Sequence, residues 1–115
     1  MAKYILPILV FLFLYSSTLF SQKMYVAKYE SQADLKVFVV SNESRADLDV
    51  YNVRYEFQAD KDGLWYYVDY KSQADHIIYF VDYESQADLK IYYVDYEPRA
   101  GWKDSSKSYL LKSGK

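Results

Sequence analysis

The chain has no cysteine at all, and it holds only three glycines, two prolines and one histidine. Without cysteine there is no disulfide framework and no lipid attachment through a cysteine. A single histidine with no thiol argues against a zinc site or a nucleophile–histidine pair. Three glycines are too few for the glycine-rich turns of calcium-binding β-rolls, and no phosphate-cradling loop is present. Charge of one sign is scarce as well. Fourteen Lys and Arg are interspersed with 16 Asp and Glu, for a formal charge of −2. That mild acidity argues against a nucleic-acid partner bound through its phosphate backbone.

What is present begins with an apolar run. Lys3 precedes Ile5 to Leu14, which contains Pro7, and the smaller, more polar stretch 16–22 follows. This is the order of a signal peptide, with cleavage expected after Ser21. An uncleaved anchor is the rival reading, but the run falls short of the roughly 20 residues that span a bilayer. The expected division is a leader over 1–21 and one domain over 22–115. The product is exported, periplasmic or secreted, with no membrane span after cleavage.

The rest of the chain is a repeat. Ala33, Ala46, Ala59, Ala74, Ala87 and Ala100 recur every 13 residues, except for one interval of 15 that accommodates Lys61 and Asp62. Asp34, Asp47, Asp60, Asp75 and Asp88 follow five of them, and Gly101 the sixth. Between these markers one column is always aromatic: Tyr25, Phe38, Tyr51, Tyr66, Tyr79 and Tyr92. The residues before it are Met24, Val37, Val50, Trp65, Ile78 and Ile91. The apolar positions follow a period of two, in β-branched and aromatic residues, so each unit predicts one strand. Apolar residues on both strand faces imply that other parts of the chain wrap them.

Four units contain a Ser-x-x-Asp, as in Ser31 to Asp34 and Ser85 to Asp88, and each connection reads as a capped helical or 3₁₀ turn. Phe57 and Pro98 replace the serine in two copies. Thirteen residues are short for a coil of a β-solenoid, so the expected pairing is antiparallel hairpins. Asp62-Gly63 adds a hairpin signal at the insert. Tyr109-Leu110-Leu111 is expected to dock as a terminal cap.

The recurring Tyr-Glu-Ser-Gln-Ala-Asp-Leu-Lys-Ile-Tyr of Tyr83 to Tyr92, closed by Ala100-Gly101-Trp102-Lys103, resembles the septoil-knot domain family. The likeness covers about Lys23 to Leu111 and departs at the insert and at Asn42. It implies a small bacterial, often exported domain with a seven-crossing torus knot, and it supplies no activity, cofactor or catalytic residues. The fold class expected is therefore all-β with short helical turns: six 13-residue units in antiparallel hairpins, deeply knotted, in a single domain.

No site residue of any kind, catalytic, cofactor-binding or metal-binding, stands out. His76 occupies a position held elsewhere by Leu35, Leu48 and Leu89, and reads as a packing replacement. Gln58, Asp60, Asp62, Gly63 and Asp69 approach the spacing of a calcium loop but begin and end with the wrong residues. The aromatic column reads as core. The variable column, Val26, Val39, Asn52, Tyr67, Phe80 and Tyr93, is the better candidate for a surface patch. Asp69, Asp82 and Asp95 read as a solvated edge. The expected function is that of a non-enzymatic, kinetically stable exported structural or interaction domain with no cofactor. A glycan- or calcium-binding module at the cell envelope is the alternative. A protein or a glycan is the expected partner, and a local function would lie where the repeat breaks: at Lys61 to Gly63, at His76, or after Trp102.

Overall fold

The computed structural model describes residues 21–112, so the expected leader over 1–21 lies outside them but for Ser21. Each unit forms one strand and one short turn. The strands are β1 (Lys23–Val26), β2 (Leu35–Val39), β3 (Leu48–Asn52), β4 (Leu64–Tyr67), β5 (His76–Phe80), β6 (Leu89–Tyr93) and the short β7 (Gly101–Trp102). The 3₁₀ turns are η1 (Glu30–Gln32), η2 (Glu43–Arg45), η3 (Glu56–Gln58), η4 (Lys71–Gln73), η5 (Glu84–Gln86), η6 (Glu97–Arg99) and η7 (Ser105–Leu111).

The strands close into a barrel in the order β4-β1-β5-β2-β6-β3, with β3 pairing back to β4. All six of these pairings are parallel. The antiparallel hairpins expected from the sequence do not occur. Only β7 runs antiparallel, against Leu48 and Asp49 of β3. The chain goes round the barrel almost twice. Strands β1, β2 and β3 take alternate places, the step to β4 moves by one place, and β4, β5 and β6 fill the gaps.

The stagger explains why a short unit suffices for parallel pairing. Val26, the last residue of β1, and Leu35, the first of β2, are both partnered by Ile78. Val39 and Leu48 likewise share Ile91, and Tyr67 and His76 share Met24. Each connection other than that from β3 to β4 therefore moves sideways by two strand spacings, about 10 Å, instead of returning along a full strand. A parallel crossover ordinarily needs a dozen or more residues, which is why the length of the unit pointed the wrong way. Each connection crosses outside the strand that it skips: η1 lies on β5, η4 on β1, η5 on β2 and η6 on β3. No turn residue is buried in η1 to η6.

Both strand faces are thus covered, as parallel strands require. Met24, Val37, Val50, Trp65, Ile78 and Ile91 form the central ring of the barrel, each with no solvent exposure. Leu35, Leu48, Leu89 and His76 form the ring toward the strand starts, where Leu111 of η7 joins the core as the expected cap. On the outer face, Ala27, Val40, Val53, Val81 and Val94 are buried beneath the crossovers. The constant aromatic column also points outward and is only half-buried, which corrects its assignment to the core. A ring of backbone hydrogen bonds matches this symmetry. The N–H groups of residues 27, 40, 53, 68, 81 and 94 donate to the carbonyls of Ile78, Ile91, Trp65, Met24, Val37 and Val50, all at 2.7–2.9 Å.

The repeated aspartate is not a cap. The N-cap position belongs to Tyr29, Asn42, Tyr55, Tyr70, Tyr83 or Tyr96, and the serine sits inside the turn. Asp75 instead clasps Lys23 at two points: its N–H donates to the Lys23 carbonyl at 2.7 Å, and its carboxylate accepts the Lys23 N–H at 2.9 Å. Asp88 clasps Lys36 and Asp47 clasps Lys90 in the same way. The carboxylate stands in for a strand carbonyl just before β3, β5 and β6 begin, and charge-assisted bonds of this kind are the strong ones.

Candidate functional site

The insert and the end of the array do meet: the Asp62 carboxylate accepts from Gln22 Nε2 at 2.7 Å and from Trp102 Nε1 at 2.5 Å. Gly63 N–H donates to Gln22 Oε1 at 3.1 Å. This lock joins the beginning, middle and end of the chain at the seam between the two circuits. Asp62-Gly63 is a turn, but between parallel neighbours, so the hairpin reading is corrected too. Asp62 is engaged by those donors, and no group of three or more His, Cys, Asp or Glu among the described residues is placed to hold a metal ion. His76 is 3% exposed and takes the ring position held in other units by Leu35, Leu48 and Leu89.

Recesses of 370 to 520 Å³ lie along the outer wall. One is lined by Glu30, Asp34, Lys36 and Asp88, and another by Lys23, Glu56, Tyr66 and Tyr70. They recur with the turns, so they follow from the repeat and none is singled out.

A carboxylate pair invisible in the sequence lies at Glu43 and Asp49. Asp49 stands where three other units have Lys23, Lys36 and Lys90, on the outer face of β3, yet it is only 5% exposed. Burial, then the adjacent Glu43 carboxylate, pushes its acid up to about 6. The hydrogen bond from the Arg99 guanidinium holds Glu43 below the usual range. The folded chain therefore keeps a proton on Asp49 at pH values where the unfolded chain has lost it. From Asp49, stability is full below about pH 4 and falls as pH rises toward 6. We expect Asp49→Asn to stabilise the protein at pH 7 by about 1 kcal/mol. It should also remove the decline between pH 4 and 6, as measured by urea unfolding across that range.

The strand-end opening of the barrel is where the chain offers most to a partner. Round the barrel, the innermost ring runs Tyr67, Val26, Phe80, Val39, Tyr93, Asn52, so aromatic and small residues alternate. The second circuit supplies the aromatics and the first the small residues. Val26 and Val39 remain 41% and 40% exposed. Tyr67 and Tyr93 join hydroxyls at 2.7 Å, and burial pushes both phenols up. They act at neutral pH as hydrogen-bonding groups, with no phenolate chemistry. The variable column is thus a mouth, half surface and half core.

Exposed tyrosines surround it. Tyr29, Tyr55, Tyr70, Tyr83 and Tyr96 each lie three residues past the end of a strand and are 54–68% exposed. Tyr55 stacks on Phe57 with centroids 5.9 Å apart and planes 7° apart. Asp69, Asp82 and Asp95 are exposed on the rim, as expected. The arrangement offers flat aromatic faces, hydroxyls and charge, which suits binding.

A family model described as the 7(1) septoil knot domain matches residues 21–103. No curated protein and no solved structure matches the chain.

Proposed function

The chain belongs to the 7(1) septoil knot domain family, and from that premise we propose a non-enzymatic, exported domain made for persistence and for interaction through its open end. The observation that carries this reading is the interlaced double circuit. Each of β1, β2 and β3 lies between two strands of the second circuit, so no strand of either half leaves without disturbing the other. A transition state for unfolding must break non-local pairings all round the barrel. Persistence is then a matter of rate. The repeated residues support the same view, since the central ring and the aspartate clasps serve architecture while the tyrosines stay exposed.

The test is the unfolding rate, measured by stopped-flow or manual dilution into denaturant and extrapolated to water. We expect a rate below roughly 10⁻⁶ s⁻¹, the slow limit for small domains. An extrapolated rate faster than about 10⁻³ s⁻¹ would remove the argument for persistence. Export is tested by the intact mass of the protein in the extracytoplasmic fraction, where loss of residues 1–21 is expected.

The stacked pair of Tyr55 and Phe57 favours glycan over calcium as a second reading. Exposed aromatic faces suit a sugar ring, while the described aspartates gather no cation site.

A further inference from the structure

We infer that the open mouth of the barrel is a self-association surface, on which two copies of this chain meet face to face about a two-fold axis. The inference rests on reading the domain as an interaction module, and it names the partner.

The residue that follows each strand at the rim depends on the circuit to which the strand belongs. The first circuit ends in Lys28, Ser41 and Arg54, and the second in Asp69, Asp82 and Asp95. All six are exposed. Because the circuits interleave, the order round the mouth is Asp69, Lys28, Asp82, Ser41, Asp95, Arg54. Two blocks of unlike charge in the sequence become an alternating ring in space. The ring of one copy is not complementary to itself in every setting. A two-fold axis reverses its direction in the second copy, so the position of the axis decides which residues face each other.

With the axis passing between two neighbouring rim residues, every aspartate faces Lys28, Arg54 or Ser41 of the other copy. With the axis passing through a rim residue, all three aspartates face aspartates. Charge therefore selects a register and penalises the alternative, which is the use that interfaces make of rim charges. Within the ring, the exposed Val26 and Val39 and the half-buried Phe80 supply apolar surface to bury. A disc the width of a six-stranded barrel is small for an interface, so the association is weak, with a dissociation constant on the order of 100 µM.

The test is sedimentation equilibrium of the protein purified from cells expressing the full chain, from about 10 µM to about 1 mM, at low and high salt. We expect a monomer–dimer equilibrium weakened at least about threefold by salt. In the double variant Lys28→Glu/Arg54→Glu every charge on the rim is acidic, and in the triple variant Asp69→Lys/Asp82→Lys/Asp95→Lys every charge is basic, with Ser41 neutral in both. Each should be monomeric alone, and an equimolar mixture should form a heterodimer tighter than the wild-type dimer. The substituted side chains are exposed, and circular dichroism establishes that the variants are folded. A wild-type monomer over the whole range, a dimer that both variants keep, or folded variants that do not combine would each overturn the inference. Saccharide binding by such a monomer would overturn it while leaving the interaction reading standing. The unfolding rate reports on persistence independently of either result.

Discussion

Trp65→Ala is expected to lower stability by about 4 kcal/mol, within the range measured for removing a buried tryptophan. Trp65 is the largest member of the central ring, fully buried, with Tyr67 packed edge-on against it at 6.3 Å. Five other strands pack their ring residue into the same layer, so the space left by an indole has no nearby loop to collapse into it. A loss of that size is a large part of what a small domain has in total. Chemical unfolding should show a much lower midpoint, and at 37 °C the variant should populate unfolded chains. A loss below about 1 kcal/mol would mean that the ring is not the packed centre of the barrel.

The second large effect is expected at Gly63→Ala, about 3 kcal/mol. Gly63 has φ +94°, in the region that disfavours a side chain. A Cβ there would also lie 2.8 Å from both the Asp49 carbonyl oxygen and the Gly101 nitrogen. Both are backbone atoms, so neither can swing aside as a side chain would. Gly101→Ala is the control. It shares the positive φ, at +145°, but a Cβ there meets nothing within 4 Å, and its loss should stay near about 1 kcal/mol. Equilibrium unfolding of the two variants side by side distinguishes crowding at the seam from backbone strain alone. Equal losses would refute the crowding argument.

Gly63 illustrates why the seam was hard to read in advance. The insert at Lys61 and Asp62 was visible as a broken interval, and its meeting with Trp102 depends on where the second circuit ends. A period of two in the apolar residues fixes strands and their faces, and all six strands formed where the columns placed them. It carries no information about the direction of the neighbour. That depended on the stagger, which lets Ile78 partner both the end of β1 and the start of β2. A unit that looks too short for a parallel crossover is then long enough.

The face assignments went partly astray for a related reason. A small chain without disulfides needs its aromatics inside, which points Tyr25 and its equivalents to the core, yet they stay half-buried on the outer face beneath the crossovers. The narrow interior takes Met24, Val37, Val50, Trp65, Ile78 and Ile91 instead. The aspartate column was equally regular, and a capping role was the local explanation. Its real partners, Lys23, Lys36 and Lys90, are 43 to 52 residues away, beyond any local pattern. The mouth was foreshadowed by the variability of Val26, Asn52 and Phe80. The charge alternation there needed the strand order, since in the sequence the cations and acids merely occupy different halves.

The interleaving also sets a timetable for the chain as it is made. Strand β1 pairs only with β4 and β5, β2 only with β5 and β6, and β3 with β4, β6 and β7. A nascent chain emerging from its N-terminus thus has no ladder to form among its first three strands. The first native pairing waits for Leu64, when more than half of the sequence has been synthesised. Until then the leading half has none of its native strand partners. The same order that interleaves the two circuits of the finished barrel leaves the unfinished one without a native ladder.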